Sequence, residues 1–234
     1  MKSSQHNFNI LNGCTIILVL LLMPACQRKE KTDAVAVRNE TSVDSSDSSE
    51  QEKLESQDRT IWQKPYDIIG LLGPLEDKVI ADIGAGSGYF SFRFIHQAKK
   101  VIAIDIEKEL IDMMNAEKTY YKPEIQERFE ARLATPMDPK LNKSEVDIVF
   151  LSNTYSYIKQ RSAYLRNLKD KFKPGGRIMI VDFKKKMTPM GPDLEHRLAQ
   201  GDVERELIEA GYELISSDDN KLQYQYIIMA SPKN

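Results

Sequence analysis

Four short, nearly uninterrupted apolar runs limit what this chain can fold into: KVIAD (78–82), KVIAID (100–105), VDIVFLS (146–152) and GRIMIVDF (176–183). Each has strand length and β-branched character, and none alternates apolar with polar, so each reads as a strand buried on both faces. The intervening segments Tyr89 to Lys99, Lys108 to Glu117 and Gln160 to Phe172 have helical spacing, and Lys173-Pro174-Gly175-Gly176 supplies a stop and turn. The succession is βαβ, which predicts an α/β fold around a mostly parallel sheet. RFEARL (128–133) is a further, weaker strand. The chain closes with a helix from Asp202 to Ala210, then YELISSD and LQYQYIIMAS around the turn at Asp219-Asn220, which reads as an antiparallel hairpin.

The chain has 234 residues, enough for one such domain plus an appendage. Its 41% hydrophobic and 29% charged residues permit a real core. With a formal net charge of −2 and no markedly basic half, it lacks the electrostatic footprint of a general nucleic-acid binder, and no nucleic-acid partner is expected. Cys14 and Cys26 are the only cysteines, and both precede the periodic region. A disulfide framework, a zinc–thiolate site and a cysteine nucleophile are thereby excluded from the domain.

The appendage reads as an export device. Lys2 and polar residues precede the apolar run TIILVLLLM (15–23), too short for a bilayer span and suited to a signal peptide. Met23-Pro24-Ala25-Cys26 resembles the lipobox of bacterial lipoproteins, which implies a signal over 1–25 and a lipid anchor on Cys26. Residues 26–58 are crowded with Ser, Asp and Glu and read as a disordered tether, leaving 59–234 as the domain. The expected location is an exported, membrane-anchored lipoprotein, or the cytoplasm if the signal is not used.

The most informative stretch is VIADIGAGSGYF (79–90), which joins the first strand to the first helix, where open α/β sheets bind their ligands. Gly84, Gly86 and Gly88 remove side chains that would keep a ligand off the backbone. A dinucleotide fingerprint needs glycine where Tyr89 stands, and no Gly-Lys-Ser/Thr follows, so phosphate-cradling readings weaken together. Asp105 closes the second strand about twenty residues downstream, where a carboxylate either accepts ribose hydroxyls or caps the helix that follows.

At these residues the chain resembles the class I S-adenosylmethionine-dependent methyltransferases: DIGAGSGYF is like their first motif and VIAID like their second. WQKP (62–65), LSNTY (151–155), FKPGGRIMIVDFKK and EAGYEL (209–214) extend the resemblance from about Arg59 to Lys233. It implies a Rossmann-like doubly wound sheet in the order 3-2-1-4-5-7-6 with strand seven antiparallel. It implies S-adenosylmethionine as cofactor, with Asp82 facing the methionine amino group and Gly84, Ala85, Gly86, Gly88 and Tyr89 carrying methionine and ribose. Asp105, with Ile106 beside it, would take the ribose hydroxyls, and the adenine position falls near Thr135 or Asp138. A cationic sulfonium without phosphate suits a loop with acidic neighbours and no lysine.

Ser152 to Tyr157 follow the fourth strand, beside the methyl group by the same resemblance, and make Asn153 a candidate for both cofactor and acceptor. The Asn/Asp-Pro-Pro-aromatic motif of adenine and glutamine methyltransferases is absent, which argues against those acceptors. Tyr155 and Tyr157 either line a pocket or pack. His196 is either a general base or a structural histidine. Lys184-Lys185-Lys186 either attracts an anion or forms a solvated loop. Alignment in a dry pocket accounts for about 7 to 11 kcal/mol of barrier lowering, so methyl transfer requires no dedicated base. The expected activity is methyl transfer to a small-molecule acceptor. The rivals are a nicotinamide-dependent oxidoreductase and a tethered S-adenosylmethionine-binding module without turnover.

Overall fold

A computed structural model describes residues 59–233. The expected signal, Cys26 and the tether lie outside the described residues. Residues 59–63 are helical and lead through Lys64 into α1 (Pro65–Leu71), whose proline at its start replaces an amide that would have no helical partner. Then come β1 (Val79–Ile83), α2 (Ser91–Phe94), β2 (Lys100–Asp105), α3 (Lys108–Lys118), α4 (Pro123–Gln126) and β3 (Phe129–Leu133). The second half comprises β4 (Val146–Ser152), α5 (Arg161–Leu168), β5 (Phe172–Phe183), α6 (Gln200–Glu209), β6 (Tyr212–Asp218) and β7 (Gln225–Pro232). Among the described residues no helix is long and apolar enough to cross a membrane.

The seven strands form one sheet in the order β3-β2-β1-β4-β5-β7-β6, the order the resemblance implies. β1 to β5 pair in parallel, and β7 enters antiparallel to both β5 and β6, so the expected closing hairpin forms. Side chains alternate across the pleat. Ala81, Ile102, Val149, Ile178 and Ile228 meet Leu165, Leu168, Val203 and Leu207 of α5 and α6 on one face. Ile80, Val101, Phe150, Met179 and Ile227 meet Ile68, Ile69, Phe94 and Met114 of α1, α2 and α3 on the other. Two-sided burial is the physical reason the strand sequences read as continuous apolar runs rather than alternating ones.

Two local expectations shift. The helix expected from Tyr89 to Lys99 is regular only over Ser91–Phe94, and beyond it the Gln97 amide bonds three residues back rather than four. The Pro-Gly-Gly segment is not a free turn after a helix running to Phe172. α5 stops at Leu168, one 3-10 turn follows, and β5 already starts at Phe172. The register jumps from Val146 opposite Phe172 to Ile148 opposite Arg177, so the glycines are absorbed as a bulge in which Gly175 takes φ +75°.

Phe150 lies at the centre of the second face, with Phe90 at 4.7 Å and Phe94 at 5.1 Å between ring centroids. Phe150→Ala is expected to cost about 3–5 kcal/mol in chemical denaturation without changing the strand order.

Candidate functional site

β1 and β4 are neighbours, but the chain leaves β1 toward α2 on one face and leaves β4 toward α5 on the other. The connections therefore diverge beyond their carboxyl ends and open a crevice there. A cavity of about 690 Å³ occupies it, walled by Gly84, Asp105, Ile106, Thr135, Asn153 and Tyr157 among others. Its lining includes the acidic residues Asp105 and Glu107 and the basic residue Lys159.

The glycine loop is fastened to β2. The amides of Gly84 and Ala85 both donate to the Ile104 carbonyl, at 2.8 and 3.0 Å. All three loop glycines hold positive φ, yet their surroundings differ. A Cβ on Gly84 would collide with the Thr154 side chain, and one on Gly88 would lie 2.6 Å from the Phe92 ring. A Cβ on Gly86 would meet nothing within 4 Å. Gly84 and Gly88 are thus required by packing, while Gly86 faces open space beside Asp105.

Asp105 resolves the choice between ribose acceptor and helix cap only in part. Oδ1 accepts from the amides of Ile106 (2.7 Å) and Glu107 (3.2 Å), which fastens the turn into α3, and Oδ2 accepts from Gly86 (2.9 Å), which bridges the two loops. A carboxylate has about four acceptor positions, so one remains, on Oδ2. Asp82 lies deeper. It is buried beneath the loop, accepts from the Ser91 hydroxyl at 2.6 Å, and is pushed up to about 6 by burial, against the pull of that hydrogen bond and of Arg59.

The other predicted residues separate. Tyr89 is clamped between the guanidiniums of Arg59 (3.9 Å from the ring centroid) and Arg93 (3.8 Å). Ala85, Gly86, Gly88, Tyr89 and Asp82 support the loop without walling the cavity. Thr135 and Asp138 pair through their backbones, but only Thr135 lines the cavity, since the Asp138 carboxylate is held by the amide and ammonium of Lys140. Tyr155 and Tyr157 divide the two roles left open for them. Tyr155 is buried and donates to Glu206 at 2.7 Å, whereas Tyr157 is exposed and lines the cavity. His196 stacks on Tyr157 at 6.4 Å and stands at the rim rather than in the wall. Lys184 is tied to the carbonyls of Leu222 and Gln223, leaving Lys185 and Lys186 exposed.

Sequence reasoning missed a buried polar group behind Asn153. Gln63, fully buried, donates to the Ser152 hydroxyl (3.0 Å) and to the Gln225 carbonyl oxygen (3.1 Å), and Gln225 in turn donates to Asn153 Oδ1. The available signal was a glutamine inside the apolar run YQYIIM. It also missed Arg197, whose buried guanidinium donates to Pro192, Lys186 and Met190 carbonyls and to Thr188 Oγ1, and so shapes the loop that carries His196.

Gly86→Ala should cost only the strain of a left-handed residue, about 1–2 kcal/mol. Gly84→Ala adds the collision with Thr154 and should be the more damaging of the two in urea denaturation.

The chain is similar to known proteins. A tRNA U34 carboxymethyltransferase of Ruthia magnifica subsp. Calyptogena magnifica is 32% identical over 136 residues, which is 55% of this chain and 42% of that protein. The chain therefore spans less than half the length of that relative. An Aquifex aeolicus SAM-dependent methyltransferase structure superposes with a TM-score of 0.70 at 22% identity, covering 78% of this chain and 96% of that one. The glycopeptide N-methyltransferase MtfA superposes with a TM-score of 0.62 at 13% identity, covering 73% of this chain and 90% of that one. The profile of the methyltransferase-domain family matches residues 75–226, from the turn before β1 to the start of β7, and the chain belongs to that family.

Proposed function

We propose that the chain transfers a methyl group from S-adenosylmethionine to a small-molecule acceptor. The observation that carries this reading is the pairing of Gly86 and Asp105: an unobstructed glycine backbone donates to a carboxylate that has one acceptor position left and that lines a crevice of about 690 Å³. A ribose hydroxyl fits that position. The glycopeptide methyltransferase of the same fold has been solved with S-adenosylmethionine in place, which supports the same cofactor here. A nicotinamide cofactor fits less well, because Tyr89 stands where its pyrophosphate needs glycine and is pinned by two arginines. The tRNA of the carboxymethyl relative is not carried over: this chain matches less than half of that protein and has a net charge of −2.

Within this reading Asp82 faces the methionine ammonium and Asp105 takes the ribose. Calorimetry on the full-length chain should show S-adenosylhomocysteine binding and no NAD binding. Asp105→Ala should weaken that binding at least several-fold, the loss expected of a charged hydrogen bond. The pH dependence follows from Asp82. Its ordinary value is 3.8 and burial raises it to about 6. Below about 6 the free protein holds a proton that must leave before the acid can pair with an ammonium. Affinity should thus be full above that pH and fall by up to about tenfold per unit beneath it. Asp82→Asn should flatten the profile, and a dissociation constant unchanged between about pH 8 and pH 5 would remove Asp82 from the ammonium site.

We also propose that the protein is exported and lipid-anchored through Cys26, on the strength of the charged start, the short apolar run and the lipobox-like block. Cys26→Ser should abolish incorporation of labelled fatty acid and release the protein from the membrane fraction. A wild type that carries no lipid and fractionates with soluble markers would overturn this.

A further inference from the structure

The buried amides behind the cavity form a relay with a fixed direction. It starts at Arg59, whose Nε donates to Gln63 Oε1 at 2.6 Å. A guanidinium has no acceptor, so that Gln63 atom must be the oxygen. The Gln63 NH₂ then donates both its hydrogens, to Ser152 Oγ and to Gln225 Oε1. Gln225 is consequently turned with its NH₂ toward Asn153, whose side-chain oxygen accepts. Each amide could be reversed in isolation, but one arginine sets the direction of all three. Asn153 is held at this place by its backbone too. It takes φ +57°, a conformation asparagine tolerates better than most residues, and its amide donates to the Val181 carbonyl at 2.9 Å.

The oxygen of Asn153 is therefore spent inward. Its Nδ2 makes no hydrogen bond among the described residues and is not one of the buried unpartnered atoms, and the residue lines the cavity. We infer that Asn153 presents a hydrogen-bond donor to the methyl acceptor, and that the acceptor is a small carboxylate whose product is a methyl ester. This rests on the methyltransferase reading above.

The chemistry of the transfer distinguishes acceptors. A nitrogen nucleophile directs its lone pair at the methyl carbon, so only its N–H hydrogens remain to be held, and they require acceptors. A donor cannot hold them. A carboxylate oxygen attacks with one lone pair while the group keeps others free to accept from Asn153. The O–CH₃ bond forms as the CH₃–S⁺ bond breaks, and its electron pair stays on sulfur. The carboxylate charge and the sulfonium charge cancel into a neutral ester and a neutral thioether. No proton moves, so no general base is needed, which agrees with Tyr155 being engaged by Glu206 and His196 standing at the rim.

The test is nuclear magnetic resonance of the Asn153 side-chain NH₂ in the full-length ¹⁵N-labelled chain. It is titrated first with S-adenosylhomocysteine, then with benzoate or with benzylamine. The expected result is that benzoate shifts the Asn153 NH₂ signals in the S-adenosylhomocysteine complex and benzylamine does not. Asn153→Asp, which still accepts from Gln225 but offers oxygen to the cavity, should weaken benzoate binding about tenfold and favour the amine. If benzylamine shifts the signals, if neither probe does, or if S-adenosylhomocysteine alone captures the NH₂, the acceptor inference is overturned while the methyltransferase reading stands. If S-adenosylhomocysteine fails to bind at all, that reading falls and this inference with it.

Discussion

Burial of a parallel sheet on both faces is the constraint on which the rest of this structure depends. Each of β1, β2, β4 and β5 is apolar toward both layers, so helices must cover both faces and the chain must cross over between consecutive strands. The polar work of the molecule is thereby pushed to the carboxyl ends of the strands. The crossovers there go to α2 on one face and α5 on the other, and they part between β1 and β4. The cavity is the gap this topology leaves.

At that edge the fold places carboxylates where water scarcely reaches. Asp82, Asp105 and Asp182 stand near or at the ends of β1, β2 and β5, and all three are buried. Each is held by donors from its own turn or from a neighbouring loop: Ser91 for Asp82, the amides of Gly86, Ile106 and Glu107 for Asp105, and the amides of Phe183 and Ser156 for Asp182. One hydroxyl does not offset the burial of Asp82, whose carboxyl is pushed up to about 6. Burial also raises Asp182 despite its two amides. A buried acid kept short of partners is one that a ligand cation can complete.

The segment before α1 reaches across the same edge. Arg59 lies on Tyr89 and donates to Gln63, so the helical residues 59–63 join the glycine loop to the start of β7 through Gln225. This gives Tyr89 a role its sequence position did not disclose. It is a platform for two guanidiniums rather than part of the cavity wall.

The sequence by itself determined the sheet, its two-sided burial and the place of the glycine loop. Those follow from runs of neighbouring residues: the four apolar segments, the glycines at 84, 86 and 88, and Asp105 at the end of VIAID each carry their meaning within a few positions. The division of labour inside the site was decided only by tertiary structure. That Gly84 yields to Thr154 while Gly86 stays open, that Tyr155 turns into the core and Tyr157 out of it, and that Arg59 sets the direction of Gln63, Gln225 and Asn153 all depend on residues far apart in the chain. The physical reason is that hydrogen bonds are directional and saturable. What a polar side chain offers a ligand is what its distant neighbours have left unused, and local pattern carries no record of that.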